Sequence, residues 1–113
     1  MSDCLFCRIV AGEIPAEVVH ETDRTLAFRD SSPQAPTHVL VVPRDHHADA
    51  GALADADAAL LAEVMTAAVA VARAEGLSGG YRLVANTGDD GGQTVHHLHV
   101  HVLGGRGLAW PPG

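Results

Sequence analysis

The clearest pattern lies near the C-terminal end, where His97-Leu98-His99-Val100-His101-Val102-Leu103 alternates polar and apolar positions. A period of two belongs to a strand with one buried face. The spacing predicts a strand over Val95 to Leu103, with Leu98, Val100 and Val102 on a core face and the three histidines on the other. Shorter β-rich runs cover Val18 to Glu21 and Thr25 to Phe28, separated by a Thr-Asp-Arg turn, and Tyr81 to Val84. His38 to Val42 is a compact apolar strand stopped by Pro43. A helical period appears once at length: Leu60, Leu61, Val64, Met65, Ala68, Val71 and Ala72 recur on one face. Asp55 and Asp57 offer that helix its N-cap and first-turn acids, and Gly76 follows Glu75 where a C′ glycine belongs. A short helix is expected from Leu5 to about Ala11, ended by Gly12, and Ser31 to Pro36 reads as a proline-containing loop.

These elements predict a single α+β domain over residues 1–113, with a mostly antiparallel five-stranded sheet, a short N-terminal helix and one long helix. One sheet and one long helix leave part of a face uncovered, which a homodimer would solve. The 113 residues carry a formal charge of −7, with only seven Lys and Arg. That balance argues against coating a nucleic-acid polymer, whose phosphates attract basic stripes. A single nucleotide phosphate is a different matter, because a few amides and imidazoles can hold it. No apolar run approaches the roughly 20 residues that span a bilayer. Met1-Ser2-Asp3-Cys4 lacks a basic region followed by an apolar stretch, so a cytoplasmic location is expected. Cys4 and Cys7, the only two cysteines, form a C-x-x-C that in a reducing compartment is a metal half-site or a redox pair. No thioredoxin-like βαβ pattern surrounds it.

Three imidazoles spaced about 7 Å apart on one strand face have no packing reason to be there. They are either metal ligands, as in three-histidine zinc sites, or a nucleophile with partners that orient it and hold phosphate. Neutral imidazole is a competent nucleophile near pH 7. Just upstream, Gly91-Gly92-Gln93-Thr94 forms a tight turn able to aim N–H groups and a hydroxyl at an anion.

Residues 97–103 fit the His-φ-His-φ-His-φ-φ motif at every position, φ being apolar, and on them the chain resembles the histidine triad (HIT) superfamily. Asp30, the run from Ser32 to His38, Asn86, Gly91-Gly92-Gln93 and the ending Val102 to Arg106 with Trp110-Pro111-Pro112-Gly113 extend the resemblance to the Hint branch, the purine nucleoside phosphoramidases. The resemblance implies a HIT-like fold whose sheet pairs into a larger one in a dimer, with the tail 104–113 contributing. It implies hydrolysis of adenosine or guanosine 5′-phosphoramidates to AMP or GMP, with His99 attacking the α-phosphorus to form a nucleotidyl-histidine. His101 would then bond the phosphate, and His97 would orient His99 with His38 behind it. Thr94 would donate to the phosphate or the leaving group, and Asp30 would hold the ribose. Asn86, Gly92 and Gln93 would make further nucleotide contacts, and Phe6, Ile14 and Phe28 would line the purine cleft.

The same resemblance makes Cys4, Cys7, His46 and His97 a structural zinc set, with His47 beside His46 as the competing third ligand; no organic cofactor is implied. His96 replaces the Tyr common in Hint relatives and by parity points away from the triad, and His20 reads as strand surface. Hydrolysis of dinucleoside polyphosphates, a nucleotide-binding scaffold with little catalysis, and a three-histidine metallohydrolase are the alternative readings.

Overall fold

The computed structural model describes residues 3–113. Its elements run α1 (Leu5–Val10), β1 (Val18–Glu21), β2 (Thr25–Arg29), β3 (Thr37–Pro43), α2 (Ala50–Ala56), α3 (Ala58–Ala74), β4 (Tyr81–Val84) and β5 (Val100–Gly104). The five strands form one sheet in the order β1-β2-β3-β5-β4, every neighbouring pair antiparallel. The expected α+β class therefore holds. Among the described residues no helix is long and apolar enough to cross a membrane.

One sheet face lies under α3. Ala27, Val39, Val41, Val100 and Val102 point to it and meet Leu60, Val64, Ala68, Val71 and Ala72, all essentially buried. On the other face α1 lays Phe6 against Leu26, Phe28, Leu40 and Val42. Phe6 and Phe28 meet edge to face, their ring centres 5.5 Å apart, a favoured aromatic arrangement.

Two expectations need correction. The long helix is preceded by a separate one, α2, capped by Asp49, whose side chain accepts from the Ala52 N–H. Asp57, in extended backbone, ends α2 and caps α3 by accepting from Leu60 N–H, so Asp55 lies within α2 rather than at a cap. The run Ala50-Gly51-Ala52-Leu53-Ala54-Asp55-Ala56 holds one bulky apolar side chain, too few to show a period. The final strand begins at Val100, not Val95. Register would set Pro43 opposite Leu98, and Pro43 has no N–H to give a ladder. Its carbonyl is taken by the His97 ring at 2.9 Å, while Leu98 N–H turns to the His47 carbonyl at 2.7 Å.

Candidate active site

The side-to-side alternation survives where the ladder does not. Leu98, Val100 and Val102 are all buried in the α3 core, so the odd-numbered residues face α1. The His99 ring centre lies 5.0 Å from that of Phe6 and 5.0 Å from that of His101. His97 also packs edge-on against Phe6, at 6.0 Å. The three imidazoles thus share one side, as the sequence pattern requires.

Each ring has fixed partners, and those partners dictate where its proton sits. His99 Nδ1 lies 2.9 Å from the backbone carbonyl of His97. A carbonyl only accepts, so Nδ1 carries the proton and Nε2 carries the lone pair. His97 is oriented oppositely: its Nε2–H donates to the Pro43 carbonyl, leaving the Nδ1 lone pair facing Cys4 Sγ at 3.4 Å and Cys7 Sγ at 3.5 Å. His97 therefore orients His99 through its main chain, while its side chain serves another cluster. His38 stands behind His101 rather than behind His97, with His38 Nε2 2.9 Å from His101 Nδ1.

Burial pushes His97 below the ordinary imidazole value, with the His46, His99 and His47 rings adding to it and the bond to Pro43 opposing. Burial, reinforced by His99 and His38, pushes His101 down to about 4, against a smaller upward pull from Asp30. His101 is neutral at neutral pH.

His99 and His101 open onto a cavity of about 610 Å³, within the range of small-molecule sites. Its apolar wall includes Leu5, Phe6 and Ile9 of α1 together with Ile14, Phe28 and Leu40. Asp30, Ser31 and Thr94 supply polar groups on its lining. Asp30 Oδ1 accepts from Ser32 N–H at 2.7 Å, which fixes the carboxylate at the end of β2. Leu5 and Ile9 escaped the sequence reading, although with Phe6 they form one helical stripe. Arg29 also lines the cavity, but its guanidinium is committed to Glu17 at 2.8 Å and Glu75 at 2.6 Å.

Asn86, Gly92 and Gln93 do not line this cavity. Asn86 Nδ2 donates to the Gly91 carbonyl at 2.7 Å. The buried Gln93 side chain accepts from Gly88 N–H and donates to the carbonyls of Ala48 and Val95. These residues shape the turn that delivers Thr94. Gly92 has φ +78 there, a backbone conformation that favours glycine. His96 is exposed.

The cluster that claims His97 also gathers Cys4, Cys7 and His46, all four ligand atoms within 4.8 Å of one another. Cys7 Sγ lies 3.4 Å from His46 Nδ1. His47 is outside the group. A tetrahedral zinc holding sulfur and nitrogen would set them about 3.6 Å apart, close to the observed separations. Among the described residues no metal-binding group contains His97, His99 and His101 together; His97 groups with the two cysteines and His46.

Comparison with known proteins identifies the family. The model of the HIT domain family matches residues 11–108. The chain belongs to the HIT family. An uncharacterized HIT-like protein of Synechococcus elongatus is 52% identical over 111 residues, covering 98% of this chain and 97% of its own. A HIT family hydrolase from Legionella pneumophila superposes with a TM-score of 0.94 at 54% identity, covering 98% of this chain and 100% of that one. A histidine triad nucleotide-binding protein from Candida albicans superposes with a TM-score of 0.82 at 30% identity, covering 96% and 83%. The HIT fold of this chain therefore rests on both sequence and structure.

The depressed His101 value sets a pH dependence. An unfolded imidazole titrates near 6.5, above the folded value of about 4, so between them the unfolded chain binds more protons. The His101 contribution to stability is complete above pH ~6.5 and is lost as pH falls through ~4. Urea midpoints across that range are expected to fall less steeply in His101→Asn than in the unsubstituted protein. Equal slopes would show that His101 is not the titrating group.

Proposed function

We propose that this HIT protein hydrolyses nucleoside 5′-phosphoramidates of adenosine or guanosine through a nucleotidyl-histidine on His99. The observation that carries the reading is the bond from His99 Nδ1–H to the His97 carbonyl, which leaves an Nε2 lone pair on a ring lining the cavity. Two structural relatives, a HIT family hydrolase and a histidine triad nucleotide-binding protein, support the same class of chemistry.

The apolar wall of Phe6, Ile9, Ile14 and Phe28 suits a purine face, and a carboxylate such as Asp30 accepts from paired ribose hydroxyls. That placement leaves the α-phosphoryl group among His99, His101 and Thr94. His99 Nε2 attacks phosphorus, the P–N bond breaks, and the amine departs with its electron pair, taking up a proton from solvent that the later attack of water returns. The nucleotidylated ring is cationic, and its Nδ1–H already faces the His97 carbonyl dipole. Water then attacks phosphorus, releasing the monophosphate and a proton and returning the pair to Nε2. Pre-placed donors stabilise the charge that builds on the phosphoryl oxygens without reorganising.

The cysteine–histidine cluster fits a structural zinc. The Pro43 carbonyl fixes His97 with its Nδ1 lone pair toward the two thiols, and a two-sulfur, two-nitrogen set suits a tetrahedral ion. Cys4, Cys7, His46 and His97 would hold it and tie α1 to the approach to β5. A homodimer is the expected assembly, with the tail toward the partner; Trp110, 84% exposed, is the apolar group that tail would contribute.

Three outcomes test this reading. His99→Ala should abolish turnover of an adenosine phosphoramidate while AMP binding stays within a few-fold; full activity would end the proposal, and a labelled nucleotide should be trapped on His99. Protein purified without chelator should contain about one zinc per chain, and metal analysis finding none would remove the ion. Sedimentation at micromolar concentration should give the dimer mass, a monomer counting against the assembly.

A further inference from the structure

A chain of hydrogen bonds runs from the C-terminal segment, through the loop before β3, into the cavity. Arg106 Nη2 donates to the Gln34 carbonyl at 3.0 Å, and the Gln34 side-chain amide donates to the Ser32 carbonyl at 2.9 Å. The Gln34 backbone N–H then donates to Nδ1 of His38 at 3.0 Å. A backbone amide can only donate, so His38 Nδ1 must hold a lone pair and its Nε2 must hold the proton. That Nε2–H faces His101 Nδ1 at 2.9 Å, with the Asp30 carboxylate further off at 3.5 Å. His101 Nδ1 must therefore accept. His38 is buried and does not line the cavity, whereas His101 does.

We infer that His38 is a positioning residue that locks His101 as its Nε2–H tautomer, so that a donor and not a lone pair meets the phosphoryl group. The inference rests on reading the cavity as a phosphoryl-transfer site. The choice matters because burial keeps His101 neutral, and a neutral imidazole has one N–H to place. The opposite tautomer would turn a lone pair toward phosphoryl oxygens, which are themselves acceptors. The expectation that His38 stands behind His97 is replaced by a role through His101. The same logic disposes of Asp30, His38 and His101 as a second metal group, although their ligand atoms lie within 4.8 Å. A metal on His38 Nε2 would require a proton on Nδ1, where the Gln34 amide already points.

The test is a spectroscopic one on the full chain with ¹⁵N-labelled histidine at pH 7.5, where imidazole nitrogen shifts and two-bond couplings report each tautomer. His101, assigned by the loss of its signals in His101→Asn, is expected as the Nε2–H form. In His38→Leu it should become a mixture or the Nδ1–H form, and kcat for the phosphoramidate should fall by about 10- to 100-fold, most of the loss in kcat and not KM. His38→Gln, whose amide can both accept from Gln34 and donate to His101, should restore the Nε2–H form and most of the rate, and it covers the case in which His38→Leu does not fold. An Nε2–H His101 in folded His38→Leu, or an Nδ1–H His101 in the unsubstituted protein, overturns the inference. Absence of turnover in the unsubstituted protein overturns the proposed reaction instead, and the tautomer readout distinguishes that failure from this one.

Discussion

Leu98, Val100 and Val102 are buried beneath α3 with at most 1% of their surface exposed, and the placement of the three histidines between and beside them depends on that burial. A strand offers its side chains alternately to two sides, so fixing three apolar positions in the core fixes the three between them on the opposite side. A slip of one residue would bury imidazoles under α3 and expose the valines. The apolar half of the motif is as much a part of the site as the histidine half.

His97 is where the chemistry and the architecture meet. Its carbonyl holds the proton of His99 in place, and its ring is held by Pro43 and faces Cys4 and Cys7. Those cysteines flank Phe6, which packs on Phe28, His97 and His99 together. The N-terminal helix, the wall of the cavity and the orientation of His99 are thus joined through one residue. A proline at the end of β3 makes this possible. Having no N–H, it cannot extend the ladder, and its carbonyl is left to accept from a side chain.

An acidic chain can host a phosphoryl group only if the site does not rely on net charge. Here the one guanidinium on the lining is committed to two carboxylates. Neutral, oriented donors are left to meet an anion. Burial keeps His101 uncharged, and the direction of its N–H is set by a relay of groups whose donor or acceptor character is fixed by covalent structure. Preorganised dipoles of this kind act where charge develops and need not rearrange as it does.

The sequence by itself determined the strand–helix plan, the common face of His97, His99 and His101, and the grouping of Cys4 and Cys7, because period-two and period-3.6 patterns and short spacings are local properties of the chain. It did not determine α2, whose alanines carry no period, or the start of β5, which depends on a proline in another strand. It set His38 behind His97, whereas the fold bonds it to His101, and it did not show the hydrogen bonds by which Asn86 and Gln93 hold their turn. It chose His46 over His47 by resemblance and not by any chemical difference between the two rings. Only the tertiary structure decided these, because a ring's proton, a ligand's direction and a strand's end are set by groups distant along the chain and adjacent in space.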